Sequence, residues 1–302
     1  MRRARVRVPA STANLGPGFD TLGMALALYN EIELTDEGQG VQLLVEGEGK
    51  AALEKAGTQN LVVRAVQALL GEFGANLSGL RVRQINRIPL RRGLGSSAAA
   101  CVGGIAAATR LAGVELSPDE ILVRALPFEG HPDNITPALL GGLTASAIID
   151  GRVAFAKLPV PDRLKALAVI PALEIATKRA REVLPKQVPF QDAVFNLNRL
   201  ALLLAGLSTD RLDLLAVGTE DRLHQPYRAA LLPGMDAILE EGRRAGALAA
   251  FLSGAGSTLL ALVSGDGDEI GRLMSERWRR EFGIENSVRL LEIDRQGLLY
   301  LE

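Results

Sequence analysis

Apolar residues recur along this chain at two spacings, and the change of spacing marks where one element gives way to the next. Residues 5–8, 27–34 and 41–46 carry the short, largely alternating patterns that predict strands, so the chain opens rich in β-structure. Between the first two, residues 9–23 (PASTANLGPGFDTLG) crowd proline, glycine and short polar residues together and read as an irregular loop. Residues 60–73 shift to helical spacing, with Leu61, Ala65, Ala68 and Leu69 near one face and Gly74 in reach of the end. A strand over 80–85 follows, then a glycine-rich turn, then a helix of small residues over 98–111. Ser117-Pro118-Asp119-Glu120 predicts another helix start. Serine caps the free N–H groups, proline suits the first turn, and the acids face the positive end, opening a helix toward Leu126.

Two prolines in KLPVPD, residues 157–162, punctuate the chain before a strand over 166–170. A boundary there divides the chain into domains of residues 1–159 and 160–302. In the second, Phe190, Ala193, Val194, Leu197, Leu200, Ala201 and Leu204 recur at helical spacing and predict a core-facing surface. A helix over 234–245, two strands around 254–257, a helix over 266–282 and a strand over 288–293 complete an order expected of helices laid on an antiparallel sheet.

Composition narrows the function classes. A chain of 302 residues, 48% hydrophobic and 23% charged, can bury two cores. Lys+Arg 34 against Asp+Glu 35 leaves a formal net charge of -1, so no global field draws it toward nucleic acid or an anionic membrane. The basic start has no apolar leader segment and no run approaches the roughly 18 apolar residues of a span, which makes cytoplasmic residence the expectation. The single cysteine, Cys101, excludes an internal disulfide and is expected to be a buried small hydrophobe. His131 and His224 are the only histidines, too few for a multi-His zinc cage, and the absence of a G-x-S-x-G elbow speaks against a Ser-His-Asp hydrolase.

Candidate chemistry concentrates in residues 89–100, PLRRGLGSSAAA. Gly93 and Gly95 tolerate positive φ, so consecutive N–H groups can converge on an anion, and Ser96 and Ser97 stand at the start of a helix whose N-terminus favours phosphate. The same letters fit the dinucleotide fingerprint G-x-G-x-x-G/A, with Glu115 near the acidic position, and a merely structural glycine turn. The Walker pattern is excluded because no lysine lies near the loop. Residues 9–23 and residues 251–263 (FLSGAGSTLLALV) are each, alone, compatible with an ordinary turn or hairpin.

Taken together and in this order, PASTANLGPGFDTLGMAL, GLGSSAAA, EGHPDN (residues 129–134) and SGAGST resemble the motifs of the GHMP kinases, the small-molecule kinases named for galactose, homoserine, mevalonate and phosphomevalonate, and in particular its homoserine kinases. The resemblance implies an α+β, two-domain fold: an N-terminal domain like the second domain of ribosomal protein S5, a C-terminal ferredoxin-like domain, and a site in the cleft between them. It further implies ATP and Mg²⁺ as cofactors, L-homoserine as substrate, O-phospho-L-homoserine as product on the way to threonine, and a homodimer. Phosphoryl transfer through a loose transition state asks mainly for positioning and charge neutralisation, which suits so plain a residue set.

By the same resemblance, Arg92, Gly93, Leu94, Gly95, Ser96, Ser97 and Ala98 cradle ATP, with Asn60 toward the adenine. Ser97 and Glu129 hold Mg²⁺. Asn14 and Asp20 meet the amine and hydroxyl end of homoserine, His131, Thr177 and Gly254 line the same pocket, and Arg181 with Arg228 clamp the carboxylate. Asn134 stands near where mevalonate-type relatives place a catalytic aspartate. An amide cannot accept a proton at neutral pH, which leaves Asp133 or no residue as the base. This chain departs from the family pattern at Ala176-Thr177-Lys178-Arg179-Ala180-Arg181, usually Ser-Thr-x-x-Ala-Arg, and at Arg91, usually glycine.

Overall fold

The structure is a computed structural model that describes residues 2–75 and 77–301. It opens with β1 (Arg3–Asn14) and β2 (Gly18–Thr35), a long antiparallel hairpin, followed by β3 (Val41–Gly47), α1 (Lys50–Ala56), α2 (Leu61–Glu72) and β4 (Leu80–Asn86), with β3 and β4 paired in parallel across the helical crossover. Next come α3 (Ser96–Ala112), α4 (Pro118–Glu129), α5 (Pro132–Leu140) and the hairpin β5 (Leu143–Ile149) and β6 (Arg152–Leu158). The second half contains β7 (Lys165–Pro171), α6 (Thr177–Glu182), α7 (Phe190–Ser208), α8 (Leu215–Gly218), α9 (Gln225–Arg228) and α10 (Met235–Arg244). It ends with β8 (Ala249–Leu252), β9 (Leu259–Val263), α11 (Asp268–Phe282), β10 (Asn286–Glu292) and β11 (Leu299–Leu301).

Two sheets organise these elements. Seven strands form the first, in the order β11-β1-β2-β4-β3 with β5 paired to β2 and β6 to β5. The second is antiparallel, in the order β10-β7-β9-β8, the strand order of a ferredoxin-like unit. The expected boundary at 159/160 lies in the segment between β6 and β7, and the last strand, β11, crosses back to pair with β1. The first core is filled by α3, whose small side chains from Ala98 to Leu111 pack against β1, β2 and α2. The second centres on Trp278, fully buried beside Met274 and Ile238, its indole N–H donating to the Pro233 carbonyl at 2.9 Å.

Three expectations change. Residues 9–23 are mostly strand: β1 runs to Asn14 and β2 starts at Gly18, and Ser11 and Thr12 are wholly buried and satisfied by Asn134 of α5 and by Ser253, so polarity here does not mean solvent. On α7, Phe190 is 85% and Leu197 66% exposed. Leu200 and Leu204 of the expected set do pack on the core, but the inward face is centred on Asn196, Leu203 and Leu207, with the Asn196 amide bound to Asp221 and to the Arg222 N–H. The β5–β6 hairpin is an addition, though Asp150-Gly151 between two strand-like runs is a recognised hairpin signal. Among the described residues, no helix is long and apolar enough to cross a membrane.

Candidate active site

The three glycine-rich stretches meet at one point. Gly95 is the N-cap of α3 with φ 68°, and Gly93 has φ 74°. A Cβ on Gly93 would lie 2.1 Å from the Ser253 carbonyl oxygen, and one on Gly95 2.0 Å from Ser11 Oγ, so neither position admits a larger residue without moving its neighbour. Backbone hydrogen bonds lock the junction: Ser11 N–H to Leu94 O at 3.1 Å, Thr258 N–H to Arg92 O at 3.0 Å and Gly254 N–H to Ala13 O at 3.1 Å. Ser253 Oγ sits 2.6 Å from the Gly93 carbonyl and 2.8 Å from Thr12 Oγ1. The result is a tightly bonded loop at the N-terminus of a 17-residue helix, an arrangement whose main-chain N–H groups and helix dipole suit an anion such as phosphate. The dinucleotide reading fails on topology, since β4 ends at Asn86 and residues 87–92 separate it from the first glycine.

At the mouth of this loop the Ser97 hydroxyl donates to Glu129, the last residue of α4. Burial pushes the Glu129 carboxyl above its usual range, and the Ser97 bond partly opposes this. No cluster of three or more His, Cys, Asp or Glu side chains able to hold a metal occurs among the described residues. Two protein oxygens are nevertheless a fitting donor set for a hard divalent cation that keeps waters and takes phosphate oxygens.

The other end of the cavity is lined by charge. Asp20, in a positive-φ conformation, receives two bonds from Arg181, Nη1 to Oδ2 at 3.1 Å and Nη2 to Oδ1 at 2.6 Å, and lies 3.6 Å from His131 Nδ1. Burial lowers the His131 pKa, with Asp20 opposing and Arg181 reinforcing. Asn14 accepts from the Asp20 N–H and donates to Gly254 O at 3.0 Å, which ties the β1–β2 turn to the second domain. Thr177 and Arg181 stand one turn apart on α6 and both line the cavity. Arg228 is buried: Nε donates to Ala180 O at 3.1 Å and Nη1 to Gly254 O at 2.9 Å, while Nη2 has no acceptor and the guanidinium no ion-pair partner among the described residues. Burial, then the nearby Arg181, push its pKa down to about 10. Asp133, in the first turn of α5, is raised to about 7 by burial and by Asp20, and the neighbouring Asn134 accepts from Ser11 Oγ at 2.9 Å.

Most of the sequence-predicted residues therefore line one cavity: Asn14, Asp20, Arg92, Gly93, Leu94, Gly95, Ser96, Ser97, Glu129, His131, Asn134, Thr177, Arg181, Arg228 and Gly254. Asn60 lines an adjoining cavity that shares Arg91, Ser96 and Ser97 with the first. There its side chain caps α2 through Val62 N–H and accepts from Gln84. Ala98 is buried in the helix and touches neither cavity. The Arg92 guanidinium spans the domains to Pro171 O and Ala172 O at 2.8 and 2.7 Å, so it is a strut as well as a lining residue. Arg91 occupies the glycine position with φ 53° and extends toward Glu174 at 3.6 Å. Sequence reasoning missed Phe19, whose ring lies 5.5 Å from the Arg181 guanidinium and 5.3 Å from that of Arg228. It also missed Ser11, Ser253 and the buried pair His224 and Asp221. Their only signal was position inside a recognised motif for the first three, and rarity for His224.

Known proteins share this architecture. Residues 60–142 match the family described as GHMP kinases N terminal domain, and residues 203–280 the one described as GHMP kinases C terminal. The chain is 42% identical over 297 residues to a homoserine kinase of Persephonella marina, with 98% of each covered. It is 47% identical over 258 residues to one of Caldicellulosiruptor bescii, covering 85% of this chain and 83% of that protein. The crystal structure of homoserine kinase from Cytophaga hutchinsonii aligns with a TM-score of 0.85 at 30% identity, over 100% of this chain and 98% of that one. A mevalonate kinase of L. major aligns at 0.74 and 18% identity over 96% of each chain, a likeness of fold alone. With both halves matched and relatives aligned from end to end, this chain belongs to the GHMP kinase family.

Proposed function

We propose that this protein transfers the terminal phosphoryl group of ATP to the side-chain hydroxyl of L-homoserine, forming O-phospho-L-homoserine in the cytoplasm. The observation that carries the choice of substrate is Arg228, a buried cation with one guanidinium nitrogen left unpaired in a cavity that also holds the Asp20 carboxylate. A zwitterionic amino acid meets both charges, its carboxylate on Arg228 and Arg181 and its ammonium on Asp20 and Asn14, while a sugar meets neither. The names of the full-length relatives agree with this reading.

The main-chain N–H groups from Gly93 to Ser97 hold the phosphates at the head of α3, with the adenine toward Asn60. Ser97 and Glu129 would hold Mg²⁺, which when bound offsets phosphate charge. Asn134, anchored by Ser11, orients the acceptor hydroxyl. His131 and Thr177 shape the wall beside it. A loose transition state leaves little charge on the attacking oxygen, so the proton can pass late to the transferred group.

The test is coupled ADP release with Mg-ATP and a panel of homoserine, mevalonate, galactose and shikimate. Homoserine alone should give turnover. ADP release with another alcohol but not with homoserine would reject the assignment, and nucleotide binding without ADP release from any would reject catalysis.

A further inference from the structure

Outside the groups assigned above, one buried titratable side chain stands between the two halves of the site. His224 is wholly buried at the N-cap of α9. Its Nε2 lies 2.8 Å from the Gly16 carbonyl, which can only accept, so Nε2 carries the proton. Its Nδ1 lies 3.2 Å from Arg228 Nη1, which can only donate, so Nδ1 is the acceptor. The two neighbours thus select one neutral tautomer. Burial keeps it neutral, with a pKa near 4, Arg228 adding to the fall and Asp221 and Asp20 opposing it. Asp221, 3.5 Å from Nε2, is itself fixed by N–H groups of Leu223, His224 and Gln225 at 2.9, 2.9 and 2.6 Å. Phe19 stacks on the ring, centroids 5.2 Å apart, while also facing both arginines.

We propose that His224 is a positioning residue for homoserine: it fixes the Arg228 guanidinium relative to the Gly16 turn, and so keeps the carboxylate contact in register with Asn14 and Asp20. Gly16 belongs to the turn between β1 and β2 that carries the amine-binding groups, whereas Arg228 belongs to the second domain. The ring, hydrogen-bonded to both, holds the distance between them together with the Gly254 carbonyl, which accepts from both Asn14 and Arg228. The inference rests on the assignment of Arg228 to the carboxylate.

Two variants of the full chain separate positioning from mere packing. His224→Phe keeps the ring and its stacking but loses both hydrogen bonds. His224→Gln offers a donor and an acceptor at nearly the spacing of the ring nitrogens. Steady-state kinetics would be measured with homoserine, with ATP, and with 3-aminopropan-1-ol, which is homoserine without its carboxylate. His224→Phe should raise the homoserine KM by about 10- to 100-fold, the scale of a lost hydrogen bond to a charged group. It should leave the ATP KM and the efficiency on 3-aminopropan-1-ol unmoved, and His224→Gln should restore most of the loss. Adding His224→Phe to Arg228→Met should change nothing further, because the two act through one contact.

An unaltered homoserine KM would overturn the proposal, and so would an equal loss on both alcohols and ATP without rescue by Gln. If the Phe variant does not fold, His224→Asn, which reaches one partner and not both, carries the same comparison. A natural protein inactive on homoserine would instead refute the functional assignment beneath it.

Discussion

Replacing Arg228 by Met should nearly abolish homoserine use while leaving the fold about as stable as before. Burial and Arg181 together push the Arg228 pKa down to about 10, which corresponds to a penalty of about 3 kcal/mol on the charged form without substrate. Met removes that penalty and fills much of the same volume. Against this, the carbonyls of Ala180 and Gly254 and the Nδ1 of His224 lose their donor, at about 1 kcal/mol each for a typical hydrogen bond. The balance lies at about zero, so the urea midpoint should hold. Homoserine kcat/KM should fall by about 2–5 kcal/mol of transition-state binding, roughly 30- to 5,000-fold, with the ATP KM little changed. Retained homoserine efficiency would refute the carboxylate assignment, and a large loss of stability would show that Arg228 is mainly a structural tie.

Three further variants have expected outcomes. Glu129→Gln should lower kcat sharply and raise the Mg²⁺ needed for half-maximal rate, because an amide is a weaker ligand and carries no charge; wild-type rate and metal dependence would reject the Ser97–Glu129 pair as the metal site. Gly95→Ala, forced against Ser11 Oγ at a φ of 68°, should weaken ATP binding in calorimetry, and an unchanged ATP affinity would mean that the loop does not hold the phosphates. Asp133→Asn should reduce kcat by less than the roughly 10²–10⁴-fold typical of a lost general base, and a drop in that range, with loss of an acidic limb in the kcat profile, would make Asp133 the base. The same variant has a stability signature: because the folded pKa of Asp133 is raised to about 7, its ionisation destabilises the native state as pH climbs from about 4 to 7. Asp133→Asn should therefore gain stability over the natural protein at pH 8 and none at pH 4; a difference independent of pH in denaturant unfolding would show that the carboxyl is not so perturbed.

Legibility of the fold followed how closely local chemistry and burial agree. The helix from Pro118 was readable because its serine cap and capping box are local, and the structure forms both reciprocal bonds between Ser117 and Glu120. The second sheet was readable because β7, β8 and β9 are short apolar runs between glycine and proline. Residues 9–23 were misjudged because polar side chains in β1 are satisfied by groups more than a hundred residues away, as with Ser11 and Asn134. On α7 the apolar residues outnumber the places available in the core, and a buried Asn196 takes one of them, so periodicity alone sets the face off centre: Leu200 and Leu204 do pack inward, while Phe190 and Leu197 face out.

The site divides along the same line. Its proposed phosphate end is written in contiguous letters, since a glycine turn and the helix it starts are one local structure, and Gly93 to Ser97 could be named without any tertiary contact. The substrate end is assembled from five separated segments, and only resemblance to a family drew Asn14, Asp20, Arg181 and Arg228 together beforehand. What resemblance did not supply is the layer behind them. Phe19 sits between two guanidiniums, His224 ties Arg228 to Gly16, and Asp221 holds the backbone that presents His224. None of these need touch substrate, and each acts by denying its neighbour other conformations. Residues of that kind leave no pattern of spacing, because their partners are set by the packing of one domain on the other. If Arg228 and Asp20 meet the substrate as proposed, specificity for a small zwitterion depends on a domain interface as much as on the charged groups that line the cavity.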